Sequence, residues 1–200
     1  MGTDRKWIVV RIDGKIASVS TDYRQLAAIS ARLALTTAAY TKAYKGIAAD
    51  TQRISAETVS FNEVWNLRQT TGWDDLMLFG TDFQKRVWKK LWELGHSNLV
   101  SYTAFAELCE NKAGVRAVAH AIGLNPISVI IPCHLVVPKE AIDKIEDIKK
   151  KAEATIFRGD DLCIENLLKD TSIDFGEYSL GNDLKRRLIQ MEFEEGKDQV

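Results

Sequence analysis

The chain has 200 residues, enough for one substantial domain or two small ones, and its 46% hydrophobic and 28% charged content is ordinary globular usage, which excludes a disordered or fibrous protein. A formal net charge of -1 excludes a polycation, so any positive field for nucleic acid has to be local. No apolar run approaches bilayer-spanning length. The cysteines Cys109, Cys133 and Cys163 are sparse and lack C-x-x-C spacing, which argues against a disulfide framework or a cysteine zinc site.

Met1 to Lys6 lead straight into alternating residues rather than a long apolar stretch, so the expectation is no signal peptide and a soluble intracellular protein. The alternation around Asp13-Gly14 predicts a hairpin with strands Trp7 to Ile12 and Lys15 to Ser20. From Asp22 to Lys45 the spacing of Leu26, Ile29 and Leu33 predicts a helix stopped by Gly46. Val59, Phe61, Val64, Trp65 and Leu67 fit a short strand or a helix, and the pattern does not choose.

Gly80-Thr81-Asp82 reads as a boundary and a helix start, followed by the apolar stripe Phe83, Val87, Leu91, Trp92 and Leu94. Ser101 opens a short helix through Phe105, Leu108 and Cys109. A polar turn then leads to a second, small-residue helix from Ala113 to Ile122, closed by Gly123. Such a pair has the shape of a helix-turn-helix, with Arg116 exposed. Asn125-Pro126 forces a turn, and Ile127 to Ile131 reads as a buried extended run that ends at Pro132. Residues 139 to 172 form a charged segment around Lys149-Lys150-Lys151. With Ile142, Ile145 and Ile148 at helical spacing, it reads as an amphipathic helix or an insertion. A last helix is expected from about Asn182 to Glu195 on Leu184, Leu188, Ile189 and Met191.

Cys133 therefore stands directly after a buried run, with His134 beside it. A cysteine attacks as its thiolate and needs a neighbour that takes its proton. An adjacent imidazole steadied by a carboxylate would supply one. The plainer alternative is a buried structural cysteine followed by a capping histidine.

The surrounding pattern decides between them. Gly80-Thr81-x-Phe83-Gln84-x-x-Val87-Trp88, Val100-Ser101-Tyr102, Arg116-Ala117-Val118, Asn125-Pro126 and Ile130-Ile131-Pro132-Cys133-His134 stand in the order and spacing of the O6-alkylguanine-DNA alkyltransferases, and the chain resembles that family. The likeness covers residues 80 to 138 and resumes at Gly176-x-Tyr178-Ser179 and Leu184 to Gly196. It implies that Cys133 takes the alkyl group from guanine O6, irreversibly and without a cofactor or metal. It implies that His134 is the base, working through a water, and that Glu192 orients it. Tyr102 would assist the departing guanine, and Asn125 would brace the site. Arg116 would fill the gap left by a flipped nucleotide, with Ala117, Lys112 and Ser101 also against DNA. The Val136 carbonyl and the Tyr178-Ser179 turn would hold the base.

Between residues 80 and 139, seven Lys or Arg stand against four acids, a modest local excess consistent with DNA contact. Three departures from the family stand out. Leu135 replaces an arginine, Leu180 replaces the first glycine of a Ser-Gly-Gly loop, and the stretch from Val136 to Gly176 is much longer. Leu180 is expected to restrict the loop and exclude bulky adducts.

The expected protein is α+β. A small sheet-and-helix domain over 1–79 joins a mainly helical DNA-binding and catalytic domain with a helix-turn-helix over 80–200, carrying an insertion at about 139–172. The function expected from the resemblance is single-turnover repair of O6-alkylguanine in double-stranded DNA by a monomer, in the nucleus of a eukaryote or the cytoplasm of a prokaryote, with no membrane partner. Two rivals remain: a relative that binds alkylated DNA with weak or no transfer, and a cysteine hydrolase unrelated to DNA.

Overall fold

The structure is a computed structural model and describes residues 5–21, 54–95, 98–153 and 172–195. The helix expected over 22–45 lies outside the described residues. The chain divides into two compact units, one of residues 1–92 and 124–131, the other of 93–123 and 132–200.

In the first unit, β1 (Trp7–Ile12) and β2 (Lys15–Ser20) form the expected hairpin. Asp13 and Gly14 both adopt positive φ (50° and 82°), the conformation that a tight primed turn demands. A third strand, β3 (Ile54–Val59), pairs antiparallel with β1, giving the order β2-β1-β3. Helix α1 (Phe61–Thr70) follows at once. Ser60 accepts the Glu63 N–H while the Glu63 carboxylate accepts the Ser60 N–H, a capping box that ends the strand and starts the helix. The ambiguous segment thus holds both a strand and a helix. Trp7 packs against Phe61 and Phe61 against Trp65 with tilted rings, each pair at 5.8 Å between ring centres, which joins the sheet to α1.

Helix α2 (Asp82–Leu94) starts as expected, with a reciprocal cap between Thr81 and Gln84. Its buried side is Val87, Trp88 and Leu91. Gly80 lies against Trp88, where a Cβ would come within 2.7 Å of the indole, so only glycine fits without displacement.

Residues 127–131 are buried as expected but are not an extended strand. They fold as a tight turn, with Ile131 N–H donating to the Ile127 carbonyl at 3.0 Å and Val129 at φ 74°. That φ is strained for a β-branched residue and persists only where its surroundings dictate it. The Asn125 side chain does so. Its amide donates to the carbonyls of Ile127 (3.4 Å) and Ile131 (3.0 Å), and its oxygen accepts from Ile127 N–H (3.0 Å). Asn125 thus meets backbone groups of Ile127 and Ile131, while Ile127 also bridges Val19 of β2.

The second unit contains β4 (Val100–Ser101), α3 (Tyr102–Leu108), α4 (Val115–Gly123), β5 (Val136–Val137), α5 (Lys139–Glu153) and α6 (Asn182–Glu195). Ser101 caps α3 by accepting Ala104 N–H at 3.1 Å. A turn and a short 3-10 segment, Lys112–Gly114, connect α3 to α4. β4 and β5 pair in parallel, Val100 with Val136 and Ser101 with Val137. The core gathers Leu135, Val137, Ala141, Ile173, Phe175 and Ile189, with Ile142, Ile145 and Ile148 of α5 packed against it. The start of the long insertion is thus a wall of the core.

Candidate active site

Pro132 precedes a single 3-10 turn, Cys133–Leu135, in which Leu135 N–H donates to the Pro132 carbonyl at 3.1 Å. Proline sets φ there, and the short turn leads directly into β5. The anchor on one side is the β4–β5 pairing, and on the other the burial of Leu135 in the core. Cys133 is buried and in no disulfide. His134 is 0% exposed, and its Nε2 lies 2.8 Å from Oε1 of Glu192, itself buried on α6. A carboxylate is costly to bury alone, so the pair is held as a unit. Of the proposed catalytic residues, Cys133, His134, Glu192 and Tyr102 fall in this one unit. Asn125 belongs to the other, in the turn just described.

Tyr102 stands at the first position of α3. Burial pushes its phenol pKa up, and the negative charges of Cys133, Glu177 and Asp174 add to that. The group is therefore kept protonated, as a donor.

Val136 is buried and its carbonyl accepts from Lys185 Nζ at 2.9 Å. Lys185, missed in the sequence, is only 1% exposed. Burial lowers its pKa to about 8, against the opposing pull of Cys133 and Asp174. Its ammonium also lies 5.8 Å from the centre of the Tyr102 ring. A signal was present: Lys185, Ile189 and Glu192 are spaced i, i+4, i+7, so both charged residues share the buried stripe of α6 with an isoleucine.

The residues expected to touch DNA are placed differently from one another. Arg116 and Ala117 are exposed on α4, opposite buried Val118, Ala121 and Ile122. Lys112 is exposed but ion-paired with Glu107 at 3.0 Å. Ser101 is buried and spends its hydroxyl on the helix cap.

Tyr178 and Ser179 lie in the loop before α6, which turns at Gly176 (φ 78°) and Gly181 (φ 103°). Tyr178 N–H donates to Asn182 Oδ1 at 3.1 Å, and Gly181 N–H to the Tyr178 carbonyl at 2.9 Å. Leu180 is buried, and its φ is not positive. The loop carries its left-handed residues at glycines on either side, so a side chain at 180 meets no backbone penalty.

Residues 82–154 match the family described as 6-O-methylguanine DNA methyltransferase, DNA binding domain. The match falls on 73 of the chain's 200 residues. It is similar to a probable methylated-DNA–protein-cysteine methyltransferase of Acanthamoeba polyphaga mimivirus, 48% identical over 65 residues, 32% of this chain and 44% of that one. It is also similar to the methylated-DNA–protein-cysteine methyltransferase of Mycobacterium bovis, 35% identical over 97 residues, 42% of this chain and 59% of that one. The chain thus spans less than two thirds of these relatives' lengths.

Among solved structures, the O6-methylguanine-DNA methyltransferase of the archaeon Pyrococcus kodakaraensis shares the fold. The TM-score is 0.54 at 19% identity, over 94% of this chain and 93% of that one. The α+β class expected from the sequence agrees with it. No helix among the described residues is long and apolar enough to cross a membrane.

Proposed function

We propose that this protein repairs O6-alkylguanine in double-stranded DNA, moving the alkyl group onto Cys133 in a single turnover and acting as a single chain. The observation that carries the reading is the buried His134–Glu192 pair at 2.8 Å, placed directly after a cysteine on a rigid turn. Glu192 engages Nε2, which leaves Nδ1 as the nitrogen that takes the Cys133 proton through a water. The imidazolium that forms is balanced by the carboxylate. The sulfur then attacks the alkyl carbon. A C–S bond forms, the C–O6 bond breaks, and its electron pair leaves on the guanine oxygen. Tyr102, kept protonated by burial, donates toward the leaving base.

A stacked base cannot reach a buried thiol, so the nucleotide has to rotate out, at a cost of a few kcal/mol. Arg116, exposed on α4, takes the vacated place, its guanidinium stacking on bases and pairing with phosphate. The Val136 carbonyl and the Tyr178–Ser179 loop receive the base. Asn125 fixes the carbonyl of Ile131, just ahead of Pro132 in the chain.

The test is intact-mass spectrometry after incubation with a duplex bearing one O6-methylguanine, with Cys133→Ala alongside. The expected result is the gain of one methyl group per molecule, absent in the variant. Binding to the lesion without any gain would replace this reading with that of a damage-recognition protein. Repeated turnover on an ester or amide would replace it with a hydrolase.

A further inference from the structure

The exposed side of α4 is made unlike that of α5. On α5 it carries Asp143, Lys144, Glu146, Asp147 and Lys150, the charged surface that an ordinary solvated helix presents. On α4 the exposed residues are Arg116, Ala117, His120 and Gly123, so two long polar side chains rise from a stripe of small ones. Such a face suits close approach by a surface that those two side chains enter. α4 also lies inside the stretch that matches the family's DNA-binding domain.

We propose that His120 is a specificity-determining residue: it reads the floor of the DNA minor groove beside the lesion and makes repair faster next to an A·T pair than next to G·C. The inference rests on the proposed function, in which Arg116 enters the duplex from α4. Arg116 and His120 are four residues apart on the helix, hence about 40° apart around its axis and about 6 Å along it. With base pairs spaced about 3.4 Å apart, His120 meets the duplex one or two pairs from the gap that Arg116 fills.

The choice of groove follows from size. The minor groove is about 6 Å wide, too narrow for a helix of about 10–12 Å with long side chains all round. Ala117 and Gly123 trim the approaching side of α4, which lets the imidazole of His120 reach the groove floor. There an A·T pair offers only acceptors, adenine N3 and thymine O2, whereas guanine adds an N2 amino group that is itself a donor. An imidazole N–H bonds to the acceptors, and the guanine amino group obstructs it. Neutral imidazole keeps one N–H and imidazolium has two, so the contact is open to either protonation state.

The test is single-turnover methyl transfer from duplexes in which the two pairs on each side of O6-methylguanine are A·T, G·C or inosine·C. Inosine lacks the N2 amino group but keeps the N7 and O6 of guanine, so inosine·C resembles A·T in the minor groove and G·C in the major. On one side of the lesion, the wild-type ratio of A·T to G·C rates should exceed that of His120→Ala by at least about threefold, the weight of one hydrogen bond. Comparing ratios cancels the easier flipping that weak flanking pairs allow both proteins. Inosine·C should behave as A·T, and His120→Gln, which keeps a donor, should restore part of the ratio. Equal ratios in wild type and His120→Ala overturn the proposal. So does inosine·C behaving as G·C, which would place the contact in the major groove.

His120 is exposed and alanine favours a helix, so the variant keeps its fold. If wild type takes no methyl group from any duplex, the proposed function fails, and His120 is then decided by binding alone. Wild type should bind unmodified alternating A·T and inosine·C duplexes more tightly than alternating G·C, by a ratio at least about threefold greater than in His120→Ala. Equal binding ratios in the two proteins overturn the proposal there.

Discussion

Replacing Glu192 with glutamine keeps the shape of the buried side chain and removes its charge. In the wild type, the carboxylate accepts from His134 Nε2 at 2.8 Å with both residues shielded from water. A hydrogen bond to a charged group contributes about 1.5–3 kcal/mol, against about 1 kcal/mol for a neutral one. The difference, about 0.5–2 kcal/mol, applies mainly after His134 has taken the proton, when an imidazolium faces an amide. Each 1.4 kcal/mol added to the barrier lowers the rate about tenfold, so Glu192→Gln should transfer methyl about 2- to 30-fold more slowly. The assay is single-turnover transfer from an O6-methylguanine duplex, protein in excess, quenched and read by the mass of the Cys133 peptide. Binding to unmodified duplex should not change, since Glu192 lies buried on α6. A folded Glu192→Gln protein that transfers as fast as wild type would refute the assignment of His134 as the base.

Arg116→Ala should slow repair of duplex at least about tenfold more than reaction with free O6-benzylguanine, which has no stack to leave; equal slowing would count against base flipping. Asn125→Ala removes three hydrogen bonds from the strained turn at Val129 and should cost at least about 2 kcal/mol in urea unfolding, with an unmoved midpoint as the contrary result. Lys185 gives a pH signature in stability. Its folded pKa of about 8 lies below the unfolded value near 10.4, so between these the unfolded chain holds more protons and stability rises with pH. The wild type should therefore gain on Lys185→Met by up to about 3 kcal/mol from neutral pH to about pH 10, and a flat difference in urea unfolding would contradict the burial of a charged lysine.

Much of the fold was legible because local chemistry wrote it. Asp13-Gly14 announced the hairpin, Thr81 and Ser101 announced their helices, and the α6 boundaries followed from its apolar spacing. The capping box Ser60-x-x-Glu63 was equally readable and would have divided the ambiguous segment into β3 and α1. The turn at 127–131 was not readable as such. An apolar run reports burial and says nothing about where its backbone polar groups find partners, and here a side chain outside the run, Asn125, provides them. The Cys133-His134 pair could be found from its motif, whereas Lys185 resembles any helix lysine until the fold buries its ammonium beneath β5.

The departure at Leu135 takes a different meaning once the insertion is in place. An arginine there would enter the core among Val137, Ala141, Ile173, Phe175 and Ile189, and burying an uncompensated charge costs several kcal/mol. Leucine fits that core, and Ile142, Ile145 and Ile148 of α5, where the insertion begins, pack against it. Leu135 and the isoleucines of α5 together make an apolar wall behind the nucleophile turn. Leu135 therefore supports the turn that carries Cys133 and gives no reason to expect loss of transfer. Leu180 has the same character, being buried with an ordinary backbone between two left-handed glycines. Neither residue favours a binding-only relative.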